Sequence, residues 1–137
     1  MRQAIHTLSV ETQRGLADVT GPVARWVGGQ GIGTGLLTLF CRHTSCSLLI
    51  QENADPDVRT DLEAFFQRIA PEGAGYVHDA EGPDDMPAHI RAVLTAVSLS
   101  IPVEQGRMVL GTCQGIYLFE HRRRPHRREV TMHLIGE

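Results

Sequence analysis

The chain contains no lysine: all 13 Lys and Arg positions are arginine. Every fixed side-chain cation is therefore a guanidinium, and protonated histidine is the other positive side chain available to a phosphate. The same absence excludes a Walker-type phosphate loop, whose frame requires a lysine after its last glycine. Cysteine is scarce. Cys41, Cys46 and Cys113 cannot all pair internally, and no charged start followed by an apolar run and a small-residue cleavage site opens the sequence. Both features point to a reducing, cytoplasmic setting. Long apolar runs are missing too: none approaches the roughly 20 residues that a membrane-crossing helix requires, so no membrane partner is expected. A formal net charge of -3 and a pI near 6.1 offer no general electrostatic footprint for nucleic acid.

What is present suits one core. With 137 residues, 42% of them hydrophobic, the expectation is a single domain over residues 1–137. Residues 4–10 carry β-branched side chains in partial alternation and predict a strand. Residues 19–27 predict a helix, with Pro22 in its first turn, Val23, Trp26 and Val27 at helical spacing, and Gly28-Gly29 as the stop. Residues 34–42 and 45–51 are apolar runs of strand length with turn-like flanks. Asp55-Pro56 places a capping carboxylate before a proline at the first helical position, ahead of an apolar stripe of Val58, Leu62, Phe65, Phe66 and Ile69. The polar, proline-punctuated segment 76–90 has the character of a functional loop and leads into a helix with Ile90, Val93 and Leu94 on its stripe. Strands follow, with a turn at Glu104-Gln105-Gly106 and a final alternating strand over 129–135. Regular β-α-β alternation is absent, which argues for an α+β domain with mostly antiparallel pairing and three helices.

Three imidazoles, His43, His78 and His89, come from separate predicted elements and could meet at one rim of the sheet. Neutral imidazole offers a directed lone pair to a divalent metal, although this spacing is no zinc signature and three unrelated histidines are the alternative. Glu52 and Asn53, where an apolar strand ends, could orient an imidazole or accept a proton. Asp79, Glu81, Asp84 and Asp85 could do likewise, with Asp84 or Asp85 alternatively capping the following helix, as Asp55 caps its own. The loop 111–115 brings glycine backbone N–H groups, the Thr112 hydroxyl and the Gln114 amide within reach of an anion, or is a plain bend between strands. The segment "HRRRPHRR", residues 121–128, is expected as a solvated hairpin loop rather than a nucleic-acid site, with Arg122 the best placed to turn inward. Cys41 and Cys46 have the wrong separation for a C-x-x-C pair and are expected to be buried.

The blocks "HTSCSLLIQENADPDVRTDLEAFF", "YVHDAEGPDDMPAHI", "IPVEQGR" and "LGTCQGIYLFEHR" follow in the order and spacing of the YjbQ family, often named secondary thiamine-phosphate synthase enzymes, which the chain resembles over nearly its whole length. The resemblance implies a compact α+β protein with a β-sandwich core and a homotrimeric assembly. It implies a pocket of His43, Glu52, Asn53, His78, Asp79, His89, Gly111, Thr112, Gln114, Glu120 and Arg122. Within it, a zinc or magnesium ion would sit on His43, His78 and His89. Glu52, Asn53, Asp79 and Glu120 would act in catalysis, and Gly111, Thr112, Gln114 and Arg122 would hold the phosphates of a small metabolite. The implied reaction joins a pyrimidine pyrophosphate to a thiazole phosphate as a weak activity, and a noncatalytic module binding a metal or anionic metabolite is the competing expectation. Members often carry tryptophan where this chain has Cys113.

Overall fold

The computed structural model describes all of residues 1–137. Eight strands and three helices run in the order β1 (Arg2–Thr12), β2 (Gly15–Asp18), α1 (Thr20–Gly28), β3 (Gly35–Cys41), β4 (Cys46–Glu52), α2 (Pro56–Ile69), α3 (Asp85–Leu94), β5 (Ser98–Glu104), β6 (Arg107–Met108), β7 (Gln114–Glu120) and β8 (His126–Gly136). They form a five-stranded sheet ordered β1-β8-β3-β5-β6 and a three-stranded sheet ordered β2-β7-β4, with antiparallel pairing throughout. This is the expected α+β sandwich. The two-residue loop between β5 and β6 has Gln105 at φ 51 and Gly106 at φ 72, the left-handed pair that matches the twist of a tight hairpin.

Alternation along each strand sends one set of side chains between the sheets. Leu37 and Leu39 of β3, Val130, Met132 and Leu134 of β8, Leu48 of β4 and Ile116 and Leu118 of β7 belong to one buried cluster, and Val23 and Val27 of α1 join it. Strand β7 has a second buried side: Tyr117 and Phe119 face the helical layer, where Phe119 meets Phe66 of α2 edge-on at 5.4 Å. That double burial explains why residues 115–120 form an unbroken buried run rather than an alternating one.

Three expectations change. Strand β2 was not legible, because four residues give too short a pattern to declare a period. The stripe of α2 is not a core face: no residue of the helix is fully buried, and Phe65 and Ile69 are 44% and 42% exposed. The basic segment is not a wholly solvated loop, since β8 begins at His126, and both His121 and Arg128 are buried. The Asp55 cap is observed, its Oδ1 accepting from the Asp57 N–H at 2.9 Å ahead of Pro56. Cys41 and Cys46 are buried with their sulfurs 3.3 Å apart, whereas Cys113 is exposed.

Glu120, fully buried at the end of β7, and Arg128, on the facing surface of β8, join the two sheets. Arg128 Nε donates to Glu120 Oε1 at 2.7 Å and its Nη2 to Oε2 at 2.5 Å, while the Thr12 hydroxyl donates to Oε1 at 2.5 Å. Burial by itself would raise the Glu120 pKa, but the hydrogen bonds from Arg128 and Thr12 outweigh it and hold the carboxyl below its ordinary value. Replacing Glu120 by alanine leaves a buried guanidinium without its partner and is expected to cost about 3–5 kcal/mol in urea denaturation. The joint replacement of Glu120 and Arg128 by methionine should cost much less. Because the folded pKa is depressed, the stabilisation from Glu120 is present above the ordinary 4.5 and is lost as pH falls through the folded value.

Candidate functional site

Helix α3 starts with two buried carboxylates, Asp84 and Asp85, and carries His89 one turn beyond Asp85. The four-residue spacing places the Asp85 and His89 side chains on one face of the helix. The loop before the helix returns His78 to the same face. Asp85 Oδ2 lies 2.7 Å from His78 Nε2 and 3.0 Å from His89 Nε2, and the two rings are 5.4 Å apart. The donor atoms of His78, Asp85 and His89 all lie within 4.8 Å of one another.

The position of one hydrogen decides what this group can do. His89 Nδ1 is 2.8 Å from the Thr44 carbonyl oxygen, which only accepts, so Nδ1 carries the ring's hydrogen. In the neutral ring Nε2 is then a bare lone pair facing a carboxylate oxygen. Two acceptors 3.0 Å apart require a proton or a metal cation between them. A backbone carbonyl holding the far nitrogen is also the arrangement that orients metal-ligating histidines. His78 Nε2 additionally lies 3.3 Å from Glu81 Oε2. Its pKa is raised, first by the hydrogen bond to Asp85.

Arg122 stands behind the group. Its Nη1 donates to Asp85 Oδ1 at 2.7 Å, its Nε to Asp84 Oδ2 at 3.0 Å, and its Nη2 to the Glu81 carbonyl at 3.0 Å. Burial would raise the Asp84 pKa, yet Arg122 and the Arg123 N–H outweigh it and bring it to about 2. Asp85 is likewise lowered, hydrogen bonds and charge from His78, His89 and Arg122 overcoming desolvation. Both carboxylates are therefore anions at neutral pH. Beside the group lies an open groove of about 750 Å³ whose walls include His43, Thr44, His89, Val93 and Val97.

The arrangement departs from the expected pocket in several ways. The three-histidine set becomes His78, Asp85 and His89. His43 shares the groove with His89, but its Nε2 accepts the Glu129 N–H at 2.9 Å. Arg122 points at carboxylates rather than at a free phosphate space, and Asp84 makes no side-chain cap. Glu120 is engaged in the buried ion pair, and Asp79 is exposed on a separate depression that it shares with His78.

Glu52, Asn53, Gly111, Thr112 and Gln114 lie elsewhere. Cys46 pairs with Glu120 and Glu52 with Gln114 at opposite ends of the β4–β7 ladder, roughly 20 Å apart at the usual strand rise. There, Glu52 Oε2 accepts from the N–H groups of Ala54 and Asp55. Gln114 Oε1 takes the Gly111 N–H at 2.7 Å, closing a local turn with the donor that an anion would have needed. Sequence makes Asp85 one of four carboxylates able to orient an imidazole or accept a proton, without singling it out. Its four-residue spacing from His89 was the available signal, obscured by the equally good capping interpretation.

The family described as UPF0047 protein YjbQ-like matches residues 5–137. The UPF0047 protein sll1880 of Synechocystis sp. is 53% identical over 138 residues, covering 99% of this chain and 94% of that protein. The UPF0047 protein YjbQ of Salmonella typhimurium is 47% identical, with 96% and 95% covered. Among solved structures, a yjbq/upf0047 family protein of Clostridium acetobutylicum superposes with a TM-score of 0.88 at 36% identity, over 95% of this chain and 99% of that one.

In metal-free protein, an Asp85→Asn replacement should move the His78 titration, followed by NMR of its ring protons, down toward the ordinary 6.5. In the unsubstituted chain the raised value means that the His78 contribution to stability is full below 6.5 and disappears as pH rises through the folded pKa. An unchanged midpoint in the variant would show that Asp85 does not hold the ring.

Proposed function

The chain belongs to the UPF0047 YjbQ-like family, and on that premise we propose that it is a metal-assisted enzyme acting on a small phosphorylated metabolite. Slow joining of a pyrimidine pyrophosphate to a thiazole phosphate, releasing pyrophosphate, is its testable side activity. The observation that carries this reading is His89 Nε2 held 3.0 Å from Asp85 Oδ2, with His78 Nε2 at 2.7 Å from the same oxygen and the far nitrogen of His89 committed to the Thr44 carbonyl. Two imidazole nitrogens and one carboxylate oxygen suit zinc or a similar first-row ion better than magnesium, which prefers oxygen ligands. Such an ion, when bound, supplies positive charge against phosphate oxygens and a departing pyrophosphate.

The protein's own groups prepare that environment. Thr44 fixes the His89 tautomer, and Arg122 fixes the orientation of Asp85 by holding its other oxygen. Val93 and Val97 give the adjoining groove apolar surface against which a heterocycle can lie, while the His43 ring contributes a polar edge. The His43 pKa is lowered by burial first and by Arg128 second, which keeps that ring neutral near pH 7. A noncatalytic metal-binding module is the second reading. It is favoured by one feature: the guanidinium nearest the group, Arg122, is already engaged by Asp84, Asp85 and Glu81.

A homotrimer belongs to the same proposal. No helix covers the outer face of the five-stranded sheet, and Ile5, Leu36 and Phe40 are exposed on it at 69%, 42% and 47%. Apolar side chains on an open sheet give a second copy a surface to bury.

Titration of metal-free protein with zinc is expected to give one site per chain, weakened about tenfold or more by His89→Ala or Asp85→Asn. Affinity should fall as pH drops through the His78 titration, because protons compete for the same lone pair. Zinc-loaded protein given both thiamine precursors should form thiamine phosphate faster than the His89→Ala variant does. Stoichiometric zinc binding without product would favour the binding module, and absence of saturable zinc binding would defeat both readings.

A further inference from the structure

Arg91 lies two residues beyond His89 on α3, about 200° around the helix, and points away from the metal-capable group into the protein. It is only 5% exposed, and no carboxylate approaches within ion-pairing distance. Its one polar partner is the Ala70 carbonyl, at 3.4 Å from Nη2, and Nε has no partner at all. Folded proteins avoid taking a permanent cation out of water without a counter-charge, and arginine cannot escape by losing its proton.

The guanidinium borders a partly open cavity of about 130 Å³ between α2, α3, β2 and β7. Arg14 stands at the same cavity, with its Nη1 3.6 Å from Glu72, whose carboxylate is also gripped by Arg123. The Gln67 side-chain amide supplies further donors, and Phe66 and Phe119 form apolar walls. Two carboxylates are also present and need accounting for. Glu120 is neutralised by Arg128, Thr12 and the Arg122 N–H. Glu63 also lines the cavity, its carboxylate against Gly15, where an added Cβ would sit 2.8 Å from its Oε1, and with Glu72 it acts on Arg91 through space without pairing with it. The wall therefore presents a guanidinium with an unmade hydrogen bond and no carboxylate in ion-pairing contact to a space of small-ion size.

We propose that this cavity binds a small tetrahedral oxyanion of the phosphate class, held by the buried Arg91 guanidinium, by Arg14 at the mouth and by the Gln67 amide. Guanidinium N–H forks match the oxygens of such an ion, and low polarity around Arg91 strengthens the contact. The site is independent of the metal group, so a phosphate can be bound here whether or not His78, Asp85 and His89 take a metal.

The test is calorimetric titration of chelator-treated protein with inorganic phosphate in phosphate-free buffer, paired with thermal unfolding. Saturable binding and a phosphate-dependent rise in Tm are expected, both retained when His78 and His89 are replaced by alanine. Arg14→Gln should weaken binding about tenfold, the scale of one charge-assisted contact. Arg91→Gln should abolish the Tm response. If Arg91→Gln fails to fold, the Arg14→Gln result decides, because that side chain is partly solvent-exposed. Parallel titrations with glycerol phosphate and acetate identify the occupant: binding of the phosphomonoester points to a metabolite's phosphate, and binding of phosphate alone to the free ion. Acetate binding as tightly as phosphate, no saturable response to phosphate, or an affinity for phosphate unchanged by the Arg14 replacement would overturn the proposal. Loss of binding on replacing the two histidines would overturn it too and return the phosphate to the metal group.

Discussion

The structure depends on a buried ion pair between two sheets. A carboxylate at the end of β7 and a guanidinium on β8 face each other at the edge of the apolar layer, and each would be intolerable there without the other. Such a pair contributes less net stability than well-packed hydrocarbon would, because both ions lose their water. What it imposes is geometry: the planar guanidinium and the carboxylate meet through two hydrogen bonds, a contact satisfied in few relative positions of the strands.

Both halves of the candidate site are tied to that contact. On one side, Arg128 Nη2 donates to the Ser45 carbonyl and hydroxyl, fixing the chain just before β4. The preceding residue, Thr44, presents the carbonyl that sets the His89 tautomer. On the other side, Glu120 Oε2 accepts the Arg122 N–H at 3.1 Å, and the Arg122 side chain then holds Asp84 and Asp85. The imidazole and the carboxylate that confront each other are thus positioned from a common anchor, by short chains of hydrogen bonds. Neighbouring buried polar groups follow the same economy: Ser47 links His121 Nε2 at 2.8 Å to the Thr95 hydroxyl at 2.5 Å, and burial brings the His121 pKa down to about 3, leaving its ring neutral.

Charge placement also separates the two ends of the three-stranded sheet. At the β4 terminus, Glu52 and Gln114 accept local backbone N–H groups and stabilise turns. At the opposite end, the β7 terminus and the start of α3 gather anions around Arg122. Polar residues flanking apolar strands look alike in sequence, yet one set closes loops and the other gathers imidazoles and carboxylates around Arg122. The difference lies in what each carboxylate finds across the sheet, which no local pattern records.

Sequence by itself determined the α+β class, the strands with strong apolar runs, the Asp55-Pro56 helix start and the candidacy of His78 and His89, because these rest on period, cap chemistry and residue type within a few positions. It also made arginine the permanent side-chain cation. Only the tertiary structure decided that Asp85 replaces His43 in the donor group, that Glu120 meets Arg128 and that Arg91 is buried without a carboxylate in ion-pairing contact. It likewise decided that the loop at Gly111 lies a strand's length from the histidines. Each of those outcomes depends on which side chain faces another across a sheet or a helix contact, a matter of register and packing between segments far apart in the chain.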